Sequence, residues 1–141
     1  MSHTPSSEDR LFQSRAESCL LPLTDFDHRG HLRLAYVYLS DHDVDSAHEM
    51  MRRALRRFLD HNGVDPTKYH ETITRAWLLA VRHFMARCSE SNSADSFMES
   101  DPRMLDSEIM MTHYSAELIF SDEAREQFVQ PDLSPIPDHE R

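Results

Sequence analysis

Apolar residues recur at helical spacing along most of this chain, most clearly between Val44 and His61. There Val44, Ala47, Met51, Ala54, Leu55 and Phe58 share one face, while Glu49, Arg52, Arg53, Arg56 and Asp60 cover the other. A period near 3.6 residues predicts an amphipathic helix, and "NGV" at 62–64 reads as its glycine stop followed by an apolar contact. Upstream, "EDRLFQSRAES" predicts a first helix that ends before Pro22. A second runs from Thr24 or Asp25 to about residue 39, with His28, His31, Leu32, Ala35 and Leu39 in one inward stripe. The fourth is predicted to open with Asp65 as N-cap and Pro66 in its first position. Its inward face carries His70, Ile73, Trp77, Val81, Phe84 and Cys88. Two shorter helices are expected near 104–114 and 121–129, and three prolines in "QPDLSPIPDHER" predict an extended tail strapped over the surface. The expected fold class is all-α, a single-domain bundle of four main helices over residues 8–130 with short C-terminal helices. A flexible N-terminus is expected at 1–7 and the Pro-rich tail at 131–141.

Composition narrows the range of functions. At 141 residues with 39% apolar content, the chain can bury a core without metal staples or disulfides. Only Gly30 and Gly63 occur, which argues against a glycine-rich phosphate loop and against the tight turns of an all-β domain. A formal charge of −10 disfavours nucleic acid and acidic membrane surfaces as partners. "MRRALRR" is basic, but its arginines fall on the solvent face of a helix beside acidic neighbours. Neither a signal peptide nor a run long enough to span a membrane is read from the sequence. With Cys19 and Cys88 alone there is neither a disulfide framework nor a paired-cysteine zinc motif, so a reduced, cytoplasmic protein is expected.

The candidate chemistry lies in the histidines. His28 and His31 are three apart, which on a helix brings their Cβ atoms to about 5–6 Å and lets one metal ion bridge them. His70 adds an imidazole from another helix, and Glu17 is the candidate fourth ligand; iron, manganese or zinc each suit such a set. All three histidines sit near helix N-termini, where the macrodipole favours the neutral imidazole that binds metals or acts as a base. Gly30, between two of them, costs a helix interior about 1 kcal/mol relative to Ala, so something is expected to approach closely there. Tyr69, Thr74 and Trp77 are candidates to line a substrate pocket, and Glu71 is the candidate catalytic base if it turns inward. Each residue also has an ordinary reading. A histidine on an apolar face is more often a hydrogen-bonded core residue, aromatic residues are more often core with a polar tip, and Glu71 with Arg75 makes a common i,i+4 pair.

The segments "FDHRGHLRLAYVYL", "KYHETITRAW" and "SDEAREQFVQPDLSPIP" resemble a group of small bacterial helical proteins of unassigned function. That group shares F-x-H-x-x-H-L, Y-H-E-T-x-T and A-R-x-x-F-V-x-P-D-L-x-P-x-P patterns, and the likeness spans about residues 17–137. It implies a shared helical fold and a shared polar site at His28, His31, Tyr69, His70, Glu71, Thr72 and Thr74. It also implies that Arg125 and the tail belong to the folded unit. One departure is His113 before Tyr114, where the group carries a second tyrosine. The combined expectation is a small cytoplasmic helical protein whose histidine site binds a divalent metal and acts on a small molecule. The alternative is a non-enzymatic interaction or regulatory module whose histidines are structural.

Overall fold

The computed structural model describes residues 2–137; Met1 and residues 138–141 of the expected tail lie outside the described residues. The chain is all-α apart from one small parallel pairing. Four long helices come first: α1 (Ser7–Glu17), α2 (His28–Asp41), α3 (Val44–His61) and α4 (Glu71–Arg87). Three short ones follow: α5 (Ala94–Ser100), α6 (Ala116–Ile119) and α7 (Asp122–Glu126). Among the described residues, no helix is long and apolar enough to cross a membrane.

Helix α2 is the centre of the fold. Leu32, Leu34, Ala35, Tyr36, Val37, Tyr38 and Leu39 are all buried, so nearly the whole circumference is covered rather than one stripe. The reason is that α1, α3, α4 and α5 all pack on it, and a helix apolar on every side needs cover on every side. Tyr36 and Tyr38 tolerate this because each hydroxyl finds a partner, Ser91 Oγ at 2.6 Å and Glu17 Oε2 at 2.6 Å. Asp9 is wholly buried and binds α1 to its neighbours, accepting from Arg33 of α2 at 2.5 Å and from the Ala94 amide of α5 at 2.8 Å.

Local signals explain most boundaries. Asp27 and Asp43 cap α2 and α3 by accepting from the Gly30 and Ser46 amides. Helix α3 ends as its sequence expects: Gly63 has φ +67°, its amide donates to Asp60 O, and the Val64 amide reaches back to Leu59 O. The start of α4 differs from expectation. Asp65 and Pro66 open only a single 3₁₀ turn (Pro66–Lys68), Tyr69 and His70 are extended, and the helix begins at Glu71 with His70 as its N-cap. The strong start signal was therefore satisfied locally, five residues early. Likewise Leu23–Asp25 is a 3₁₀ turn, so α2 starts at His28.

The region expected to hold two short helices is broken further, into the 3₁₀ turns Pro102–Leu105 and Ser107–Thr112 followed by α6 and α7. Part of the segment expected to be flexible forms a pairing. Ser2–His3 pairs with Glu90–Ser91 in a two-stranded parallel ladder (β1 with β2), and the His3 ring bridges Ser91 Oγ and Met85 O.

A second apolar cluster, built on Ala76, Ala80, Met110, Tyr114 and Ile119, joins the outer face of α4 to the C-terminal segment, with Val129 and Ile136 packed against it. Buried Thr72 holds that segment from both sides: its hydroxyl donates to Gln127 O at 2.9 Å and accepts from the Val129 amide at 3.1 Å. Tyr114 donates to Val129 O, and the Leu133 amide to His113 O. The chain through Ile136 thus runs over the surface against α4 and the turns before α6.

Candidate functional site

A cavity of about 560 Å³ opens between α2, α3 and α4 and is walled on its remaining side by the 3₁₀ turn Ser107–Thr112 and the end of α6. Its size falls within the roughly 300–1,000 Å³ of small-molecule sites. Much of the wall is apolar, with Leu32 and Ala35 from α2, Met51 and Phe58 from α3, and Leu78 from α4. Six of the residues singled out in the sequence line it: His28, His31, Tyr69, His70, Thr74 and Trp77.

His28 is the first residue of α2, and its Nε2 donates to Met104 O at 2.9 Å. That bond places the proton on Nε2 in the neutral ring and leaves Nδ1 as an acceptor. The ring packs edge-on to Trp77 at 4.6 Å between centroids. His31 follows one turn on, against the Phe26 ring at 4.6 Å, and makes no hydrogen bond to any described residue. The residue is exposed at the edge of the cavity. Enclosure by protein, helped by the nearby His28, pushes its pKa down to about 4.

Gly30 between them does meet a close approach, and the partner is the chain itself. A Cβ at this position would lie 2.6 Å from the Asp25 carbonyl oxygen and 3.2 Å from Phe12 Cζ. The glycine lets the 3₁₀ turn fold back onto the first turn of α2, which sets the direction in which both histidines leave the helix.

His70 serves the backbone. Its Nδ1 accepts from the Ile73 amide at 3.1 Å, and its Nε2 donates to Ile119 O at 2.6 Å. Both nitrogens are used, and burial holds the pKa below its ordinary value despite the Ile119 bond. Thr74 Oγ1 donates to His70 O, and Tyr69 donates its hydroxyl to Glu71 Oε1, so both turn their polar ends into the protein.

Two expected residues stand outside the cavity. Glu17 lies where α1 meets α2 and accepts from Tyr38 and from Gln13 Nε2 at 3.3 Å. Glu71 is clamped between α3 and α4: Arg52 donates to it twice, at 3.1 and 2.5 Å, and His48 Nε2 lies 3.3 Å away. Burial opposes its ionisation, but Arg52, Tyr69 and His48 outweigh that and bring its pKa to about 2. Such a carboxylate is a weak base. The expected i,i+4 pair is also replaced, since Arg75 bonds to Asp45 at 2.8 Å and to His48 Nδ1 at 3.2 Å.

The four expected metal ligands consequently do not form one set. His70 has no free nitrogen, Glu17 is elsewhere, and no three His, Cys, Asp or Glu side chains among the described residues converge as a metal ion would require. The residues present do not fit the divalent ion that the spacing suggested.

Residues that the pattern did not single out complete the cavity. Met51, Leu55 and Phe58 read as core, and only the packing reveals that they border open space. Lys68 and Ser107 add polar groups, while Leu23, Met111 and Phe120 are apolar yet exposed, with Phe120 64% exposed. The chain matches no protein-family model, no curated protein and no solved structure.

Proposed function

We propose that the four long helices act as a bundle scaffold for a metal-free binding pocket, and that the protein takes up a small, largely apolar molecule between α2, α3 and α4. The observation that carries this reading is the largely apolar cavity of about 560 Å³ itself, bordered by the exposed imidazole of His31, which has no hydrogen-bond partner among the described residues. An idle imidazole beside a space of ligand size is what a binding site needs: apolar walls for affinity and few polar groups for orientation. His28 supplies a second polar point, Trp77 an aromatic wall, and Tyr69 and Thr74 give shape. Glu71 has the part of a clamp between helices and Glu17 that of a partner for Tyr38. Neither acts on the ligand.

The test uses Nile red, an uncharged dye that brightens in apolar surroundings. Saturable one-to-one binding is expected, weakened at least about tenfold by Ala35→Phe, which fills the cavity from its α2 wall. Circular dichroism and a urea transition verify that the variant folds. Non-saturating binding, or binding that Ala35→Phe leaves unchanged, would rule the pocket out.

A further inference from the structure

The cavity lies where the two apolar clusters meet. Leu32, Ala35, Met51, Phe58 and Leu78 on its inner side are buried in the first cluster, whereas Met110 and Ile119 on its outer wall belong to the second. The chain crosses from one to the other through a short exposed joint. Met104 is wholly buried in the first cluster, and its carbonyl is held by His28. Leu105 and Asp106 are exposed, and the outer wall begins at Ser107. Beyond the joint, among the described residues, only the partly buried Ile109 packs back on the first cluster. The segment is instead braced on itself: Tyr114 donates to Val129 O, the Ser115 hydroxyl to Asp132 Oδ2 at 2.6 Å, and the Leu133 amide to His113 O. Its bonds to the helices lie at the twin contacts of Thr72, at His70 with Ile119 O, and at the exposed Arg125 with Thr67 O.

Resting on the binding reading above, we propose that residues 107–136 are a flap that closes on the bound molecule, turning between the Leu105–Asp106 joint and the Thr72 bonds. The exposed apolar side chains mark the edges that close. Of the seven large apolar side chains left exposed among the described residues, Leu23, Met111 and Phe120 all border this one cavity. Apolar residues scattered singly over a surface are ordinary, but three around one opening form a patch that calls for a cover. Leu23 sits on the turn before α2, while Met111 and Phe120 belong to the flap. In the empty protein both edges stand in water. A molecule seated between them gives each an apolar surface to cover, and the water released from Leu23, Met111 and Phe120 draws the flap inward. A ligand shifts a conformation only as far as it prefers one form, and these three side chains supply the preference for the closed one. His70 holds the Ile119 carbonyl beside Phe120, so the travel is a rotation of the edge and not a detachment of the segment.

Spin labels read the position of the flap directly. One pair joins Leu133→Cys on the flap to Arg53→Cys on α3, in a Cys19→Ser/Cys88→Ser background that removes the two native thiols. Both labelled positions are exposed and neither borders the cavity. A second pair, Leu11→Cys with Arg53→Cys, spans α1 and α3 as the fixed reference. Saturating Nile red is expected to move the flap pair by more than about 2 Å, the scale of loop rearrangement on binding, and to leave the reference pair in place. Phe120→Ser is expected to weaken Nile red several-fold with an unchanged circular dichroism spectrum, because Phe120 is exposed in the empty protein. An equal shift in both pairs overturns the flap, as does a Phe120→Ser variant that binds as tightly as the parent. If Nile red saturates the protein without moving the flap pair, this inference alone fails. If Nile red does not bind saturably, the pocket reading fails with it.

Discussion

His31 shows how one residue can keep its sequence position and change its meaning. Helical spacing placed it on the inward stripe of α2; Leu32, Ala35 and Leu39 of that stripe are buried, but His31 is exposed at the edge of the cavity. Its neutrality was expected from the helix dipole. In the fold the causes are lost hydration against the surrounding protein and the nearby His28. The consequence for stability has a definite sign. The folded-state pKa, about 4, lies below the unfolded value of about 6.5. The unfolded chain therefore takes up a proton that the folded one refuses, and stability is lost as pH falls from about 6.5 toward about 4. His70 and His48 are depressed too and act in the same direction. The His31 ring proton resonance should stay at its neutral position down to pH 5. The urea midpoint should drop across that window, and His31→Leu should make the drop shallower. A His31 resonance that titrates near pH 6.5 would contradict the enclosure.

At the scale of elements, the join between the Pro66–Lys68 turn and α4 is decisive. One imidazole there closes two accounts of backbone hydrogen bonding, the first turn of α4 through Ile73 and the end of α6 through Ile119. His70→Ala removes the cap, at about 1 kcal/mol, and leaves a carbonyl unpaired at about 1–3 kcal/mol. A total loss of about 2–4 kcal/mol in urea-derived stability is expected. His70→Asn can restore the cap but is too short to reach Ile119, so it should recover about 1 kcal/mol. Equal losses in the two variants would show that the cap contributes nothing. The same join explains why Glu71 cannot turn inward. It occupies the first helical position, where Arg52 from α3 and Tyr69 from the preceding turn both reach it.

For the whole molecule, the second apolar cluster ties the C-terminal third to α4, and α6 within that third forms part of the cavity wall. Thr72 is the hinge of this attachment because one buried hydroxyl serves both Gln127 and Val129. Thr72→Val keeps the shape and removes both bonds, so a loss of about 2–3 kcal/mol is expected. Hydrogen exchange should locate it: the Leu133 amide, bonded to His113 O, should lose protection while the α3 amides keep theirs. Uniform loss across the chain would instead mean that the segment does not open on its own.

Periodicity and composition determined by themselves that the chain is helical and where α3 begins and ends. Those features depend on neighbours within a few positions, through apolar spacing, Asp caps and the Gly63 stop. The small pairing of Ser2–His3 with Glu90–Ser91 was not legible, because its partners lie far apart in the chain. Nor was the division of the histidines. His28, His31 and His70 look alike in sequence, but the 49 residues that separate His70 from Ile119 decide that it is saturated. The distance of His28 from Met104 fixes its tautomer, and the packing of α3 and α6 leaves His31 facing a cavity. A hydrogen-bond partner contributed from a distant segment leaves no local trace. Tertiary structure alone therefore turned three equivalent candidate ligands into one helix cap and two groups facing an apolar space.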